Sequence, residues 1–220
     1  MRPPTLPPQL AILLLVLLVL IAVVQIGLIR IAFDKLGLSP QSAMLLVLCS
    51  LLGSAINLPL FSVRTLAPIE DNPVFRGWLL APSPPQPQRT MIAINVGGGI
   101  MPLAISLYLI QHHSLGLGQV ALAITLVSLI CYRFSRPIRG LGIGMPLLVA
   151  PLSAALVAWF IAPAHSAPLA YVCGTLGVLI GADVLRLRDI RNLGTPFASI
   201  GGAGTFDGIF LTGIVAALLA

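Results

Sequence analysis

Six residues of the 220-residue chain carry a carboxylate, and two of these, Asp183 and Asp207, fall inside apolar stretches. A carboxylate at membrane depth is costly and marks a functional site by default. Asp34, Glu70, Asp71 and Asp189 lie in the more polar connections instead. Two carboxyls about 3 Å apart cannot both ionise, so they share one proton. One is then base and the other acid, a pair able to activate water against an amide. Asp183 also has a simpler reading. Arg186 follows it by three residues and Arg188 is close, which suits an ion pair at the membrane surface. No basic residue accompanies Asp207; its neighbours are Gly201, Gly202, Gly204, Thr205 and Gly208. A structural hydrogen bond to another helix is the alternative role for that carboxylate.

A second polar island reads Asn95-Val96-Gly97-Gly98-Gly99-Ile100-Met101-Pro102, and Asn57-Leu58-Pro59 stands upstream of it. Glycines and a proline inside an apolar run kink a helix or let two backbones approach closely. Asn95-Val96-Gly97-Gly98 has a faint echo in Ser199-Ile200-Gly201-Gly202. Paired glycine-interrupted segments are also how transporters build binding sites. Asn57, Asn95, Gly97, Gly98, Gly99, Gly201, Gly202, Gly204, Thr205 and Gly208 are therefore the candidate cavity-lining residues around Asp183 and Asp207. Metal and cofactor chemistry has no signature. There is no H-E-x-x-H, no G-x-S-x-G and no phosphate-binding or dinucleotide loop. His112, His113 and His165 sit in connections, at headgroup level.

The elements that must position these groups follow from composition. Of the residues, 58% are hydrophobic and 8% charged. A soluble domain carries roughly 25% charged residues, so this chain lacks the polar surface for a water-soluble fold. The reading is an all-α polytopic transmembrane bundle forming one domain over residues 1–220. About seven spans are predicted: 10–29, 42–61, 90–110, 118–132, 140–161, 168–184 and 200–219. The first ends at Arg30 without a small-residue cleavage site, so it is read as an uncleaved span. Residues 62–89 form the one long loop, with an extended proline-rich stretch at 82–87. It serves as a stiff connector, or as a flap or docking segment.

Charge orients the bundle. Arg2, Arg64, Arg76, Arg89, Arg133, Arg136, Arg139, Arg186, Arg188 and Arg191 fall on one side of this arrangement, and only Arg30 and Lys35 on the other. The positive-inside rule then places the N-terminus and the 62–89 loop in the cytoplasm, and the C-terminus outside. The net charge of +6 serves topology and anionic headgroups, with no nucleic-acid partner. Cys49, Cys131 and Cys173 show no C-x-x-C spacing and read as small buried hydrophobes. In this frame Asp183 lies near the cytoplasmic end of its span. Asp207 lies seven residues into the next, roughly 10 Å deep, and the two spans are antiparallel neighbours.

The stretch from Ser199 to Ile214, with Ile56–Phe61 and Asn95–Pro102, resembles the domain of unknown function 1614 family, prokaryotic multi-pass membrane proteins. That implies residence in the inner membrane of a prokaryote. More distantly, the chain resembles presenilin, signal peptide peptidase and prepilin peptidase. Those intramembrane aspartyl proteases carry one Asp on one span and a second in a Gly-x-Gly-Asp motif on a nearby span. The motif here, Gly202-Ala203-Gly204-Thr205-Phe206-Asp207, has two more residues before its Asp. The resemblance implies that Asp183 and Asp207 form a catalytic dyad hydrolysing membrane-embedded peptides or single-span proteins. The alternatives are an ion-coupled or small-solute transporter with Asp207 at a glycine-broken helix, and a non-catalytic scaffold subunit.

Overall fold

The computed structural model describes residues 24–65, 89–138, 142–202 and 208–220. Asp207, Gly204, Thr205 and the proline-rich stretch lie outside these residues.

The described chain is mostly helical, but it is not all-α. Helix α1 (Val24–Lys35) turns sharply into α2 (Pro40–Gly53), the two axes lying at 114°. Ser39 caps α2, its Oγ accepting the N–H of Ser42, and Pro40 suits the first turn because proline lacks an N–H and none is needed there. Strand β1 (Asn57–Arg64) then pairs antiparallel with β2 (Arg89–Asn95). A π-helical turn (Val96–Ile100) leads into α3 (Met101–His112). Helix α4 (Leu117–Phe134) is followed by a small hairpin, β3 (Arg136–Ile138) and β4 (Gly142–Gly144). Helix α5 (Val149–Ile161) and a short 3-10 turn (Pro163–His165) precede α6 (Ser166–Val178), which continues as a second π-helical stretch (Leu179–Val184). A 3-10 turn (Asp189–Asn192) leads to β5 (Phe197–Ile200), and α7 (Gly208–Leu219) follows.

Helix α6 is the axis of the bundle, packed against α3, α4, α5 and α7. Leu169, Ala170, Tyr171, Val172 and Cys173 are fully buried on consecutive positions, so the helix has no outward face there. Its neighbours meet it through small side chains, among them Ala154, Ala158, Ala216 and Ala217. Small residues let helices approach closely where apolar surface alone gives no drive to associate. The outer helices turn Leu48, Leu122, Leu129, Leu156 and Phe160 outward. In a bilayer such a surface faces lipid without penalty.

Two helical stretches, Leu117–Phe134 and Pro163–Val184, are long and apolar enough to cross a membrane. A third crossing is counted if the bent α1–α2 pair is one span. Residues 96–112, 149–161 and 208–219 form shorter apolar helices. Several predicted spans therefore divide into strand and helix. The span at 42–61 ends as α2 at Gly53, and its remainder opens β1. The span at 90–110 begins as β2, and helix follows only from Val96. The span at 140–161 contains β4, and that at 200–219 begins at the end of β5. Apolar runs do not distinguish a buried strand from a buried helix, and β1 and β2 are rich in apolar residues. Pro59 marks a β-bulge opposite Ala93, where a missing N–H is tolerated, rather than a helix kink. Of the expected 62–89 loop, residues 62–64 and 89 belong to the strands.

The chain connections gather at two ends. At one, Lys35 Nζ donates to Leu218 O (2.9 Å), His113 Nε2 to Leu36 O (3.1 Å), Gln119 Nε2 to Ile161 O (3.1 Å) and Ser166 Oγ to Ala220 O (3.0 Å). At the other lies the three-stranded sheet, ordered β1-β2-β5. Cys131 and Cys173 are buried as expected, whereas Cys49 is exposed on α2.

Candidate functional site

The sheet is where the two glycine motifs meet. Strands β2 and β5 run parallel, with Ala93 opposite Ser199 and Ile94 opposite Ile200. Each strand is followed by glycines and, further along the chain, by a helix, α3 or α7. The faint likeness of Asn95-Val96-Gly97-Gly98 to Ser199-Ile200-Gly201-Gly202 thus belongs to two neighbouring strand–glycine–helix units.

Asn95 is the hub of the first unit and is fully buried. Its Oδ1 accepts the N–H of Gly98 (2.8 Å) and so caps the π-helical turn. Its Nδ2 donates to Ser54 O (2.7 Å) and to Asn57 Oδ1 (3.1 Å). Ser199 Oγ donates to the same Asn57 oxygen (2.7 Å). Asn57, Asn95 and Ser199 therefore tie the three strands together through side chains as well as backbone. Ser50 Oγ adds a bond to Gly97 O (2.8 Å). Gly97 lies so close to α2 that a Cβ there would collide with Ser50 O and the Ser54 N.

The second unit carries the carboxylate. Asp183 sits in the π-helical stretch that ends the α6 axis, and its Oδ2 accepts the backbone N–H of Gly201 (3.0 Å). Gly201 has φ +81°, and a Cβ there would press on the backbone of Gly98 and Gly99. Only glycine meets both demands. The guanidinium of Arg186 goes elsewhere than the sequence suggested. Its Nη1 reaches Asp189 Oδ2 (2.9 Å), its Nη2 the carbonyls of Tyr132 and Ser135 (both 2.8 Å), and its Nε Ser135 Oγ (3.2 Å). It also lies over the Tyr132 ring, 4.2 Å from the centroid. Arg186 thus holds the C-terminal end of α4, where free carbonyls and the helix dipole favour a cation.

Asp183 lines a cleft of about 280 Å³ between the β5 side of the sheet and the segment from Gly142 to Leu147. Ser199 and Gly202 line it with Asp183, as do Gly208 and Thr212 at the start of α7. Gly202 and Gly208 bracket the segment that contains Gly204, Thr205 and Asp207. Thr195 is on the wall too, and its Oγ1 is buried without a partner among the described residues. Gly201 is not on the cleft wall, and neither are Asn57, Asn95, Gly97, Gly98 and Gly99. They hold β2 and α3 in place beneath it. Sequence reasoning did not single out Thr195, Ser199 or Thr212 as lining residues. Ser199 alone left a trace, at the position matching Asn95 in the second motif. Among the described residues no three His, Cys, Asp or Glu side chains gather as a metal ion would need.

The arrangement is that of a helical bundle of membrane type, closed at one end by a three-stranded sheet over a carboxylate-bearing cleft. The chain belongs to the family described as "Protein of unknown function (DUF1614)", whose sequence model matches residues 51–219. That stretch includes the sheet, both glycine motifs and the cleft. No curated protein and no solved structure matches the chain.

Proposed function

We propose that this is an intramembrane aspartyl hydrolase that cleaves membrane-embedded peptides with Asp183 and Asp207. The observation that carries the reading is the cleft. Asp183 is on its wall, and so are Gly202 and Gly208, the residues that bracket the segment bearing Asp207. Asp207 directly precedes Gly208 in the chain. Non-helical backbone at membrane depth is tolerated where it lines a water-filled cavity. Strand β5 lines this one, which supports access of water to the carboxylates.

The chemistry follows from one shared proton. The ionised carboxylate takes a proton from water as its oxygen attacks the peptide carbonyl. The protonated partner gives its proton to the carbonyl oxygen. The tetrahedral gem-diol then breaks its C–N bond, the amine leaves with the proton first taken from water, and one gem-diol hydroxyl returns its proton to the now-ionised partner as the carboxylic acid forms, restoring the shared proton.

The same reading crosses the membrane seven times, with the N-terminus in the cytoplasm, the C-terminus outside, and residence in a prokaryotic inner membrane. The gathering of alternate connections at opposite ends supports it. Arg64, Arg89, Arg133, Arg136, Arg186, Arg188 and Arg191 belong to the sheet-end elements, which suits a cytoplasmic face.

The test is incubation of the purified protein in bilayer nanodiscs with single-span peptides, comparing wild type with Asp183→Asn and Asp207→Asn. Cleavage by wild type and by neither variant is the expected result. A transporter is the second reading, favoured by the pairing of two glycine-broken helix starts on adjacent parallel strands. Under it, Asp207→Asn abolishes solute or ion uptake into proteoliposomes, Asp183→Asn does little, and no peptide is cut.

A further inference from the structure

The end of the bundle opposite the sheet carries all three histidines of the chain. His113 follows α3, and His165 belongs to the turn between α5 and α6. Both are half-buried, and their rings meet edge to face, with centroids 6.3 Å apart and planes at 64°. Each ring also reaches a further connection. His113 Nε2 bonds Leu36 O (3.1 Å), and its ring packs on Gly37, where a Cβ would lie 3.6 Å from it. His165 Nε2 is 3.4 Å from Ser114 Oγ, in the connection from α3 to α4. The pair thus ties the α1–α2, α3–α4 and α5–α6 connections together.

Negative charge is scarce here. Of the six carboxylates, Asp183 and Asp189 are at the sheet end. Glu70 and Asp71 fall in the chain between β1 and β2, and Asp207 precedes the start of α7 beside the cleft. Only Asp34 is left to the histidine end, where it is exposed. The same turn carries Lys35, whose Nζ is bonded to Leu218 O, and Arg30 lies a helical turn earlier. His112 stacks on Tyr108. Helices α2, α5, α6 and α7 contain no charged side chain, and α4 has only Arg133, at its far end. Among the described residues neither ring is bonded to a carboxylate.

We propose that His113 and His165 form an acid-operated latch. Neutral imidazoles pack edge to face and hold the three connections closed. Imidazole is the side chain whose charge ordinarily changes between about pH 5 and 8. In acid, two imidazolium rings at this separation, beside Lys35, repel each other, and half-burial leaves little water to screen them. Both nitrogens of an imidazolium donate, so His113 keeps its bond to Leu36 O. The contact between the rings is what fails, and the α5–α6 turn parts from the α3–α4 connection. Under the proposed topology this end faces outward, so the latch reads the acidity outside the cell. It operates independently of any chemistry at Asp183.

The test is the distance between spin labels at Leu117→Cys and Ala164→Cys, both exposed positions on the two connections. The full chain carries Cys49→Ala as well, sits in nanodiscs, and is measured by pulsed electron paramagnetic resonance at about pH 8 and about pH 5. A single short distance is expected at the higher pH, and a longer one as the larger population at the lower. His113→Gln and His165→Gln keep a hydrogen-bonding side chain that cannot charge, and each should hold the short distance at both. Asp34→Asn should leave the response in place, which separates the rings from carboxylate titration. The response should shrink in about 1 M salt, where charges are screened within about 3 Å. One unchanged distance at both pH values, a response surviving in both glutamine variants, or its loss in Asp34→Asn overturns the proposal. Should a glutamine variant fail to fold, or open already at the higher pH, salt decides. A response equally large in about 0.01 M and about 1 M salt is not charge repulsion and overturns the latch.

Discussion

Asp183 Oδ2 accepts the backbone N–H of Gly201 at 3.0 Å, joining the end of the α6 axis to the turn after β5. The bond makes the carboxylate part of the sheet as well as of the helix. Asp183→Asn retains an acceptor oxygen for the Gly201 N–H and should lower thermal stability in detergent less than Asp183→Ala does. Asp183→Ala strands the Gly201 N–H and should lower stability by about 1–2 kcal/mol. Both should be inactive in the peptide-cleavage assay. A cleaving Asp183→Ala variant would dismiss Asp183 from the chemistry.

Gly201→Ala should be among the most damaging single-methyl changes in the chain. The left-handed backbone costs about 1–2 kcal/mol for a residue with a Cβ. Pressing that Cβ on the Gly98–Gly99 backbone adds about 1–3 kcal/mol. Urea or thermal unfolding followed by circular dichroism measures the sum. A change under half a kilocalorie or so would mean that the two glycine turns are not in contact.

Asn95 serves three backbone or side-chain groups from a fully buried position. Asn95→Leu fills the space but satisfies none of them, and a loss of about 3 kcal/mol is expected. Asn57→Ala, which releases Asn95 Nδ2 and Ser199 Oγ from a part-exposed partner, should cost less, about 1 kcal/mol. The reverse order would place the centre of the network at Asn57.

Arg186 combines a cap on α4, an ion pair and a ring contact, so Arg186→Lys should not replace it. A loss of about 1–2 kcal/mol is expected for Lys and more for Ala. Asp189→Asn should cost only a few tenths of a kilocalorie, because its carboxylate is 34% exposed. Limited proteolysis between residues 185 and 195 reads the same ordering, with Arg186→Ala cut fastest.

The proposed topology predicts that reporter fusions at the two termini lie on opposite faces of the membrane. A cysteine introduced at the exposed Leu117 should be labelled from the outer face, and one introduced at the exposed Arg136 from the cytoplasm. Labelling of both from one face would remove the bundle polarity and the proposed placement of Asp183 with it.

Much of the helical framework is legible from composition alone. The predicted spans at 118–132 and 168–184 correspond to α4 and to the helical stretch through Val184, because long apolar runs without turn residues leave little choice but helix. The sheet is not legible. Ile92 and Ile94 of β2 look the same in an apolar run whether they continue a helix or form a strand. What separates the two is pairing with partners such as Phe61 or Ile200, which composition and periodicity do not encode. The proline and glycine signals at Pro59 and Gly97 are real, but they mark a bulge and a close approach to α2 rather than helix kinks.

By itself, then, the sequence determined a largely apolar, mostly helical chain, a biased set of arginines, two carboxylates inside apolar stretches and two similar glycine motifs. These are properties of local composition, fixed by the cost of placing charge and bare backbone in an apolar phase. Only the tertiary structure decided that the motifs end adjacent parallel strands, that Arg186 turns to Asp189, and that Asp183 faces Gly201 on a cleft. Each of those outcomes depends on contacts between residues distant in the chain. Which of several available partners a polar group takes is set by the packing of the whole bundle, since each group satisfies its hydrogen bonds wherever the fold brings a matching atom within reach.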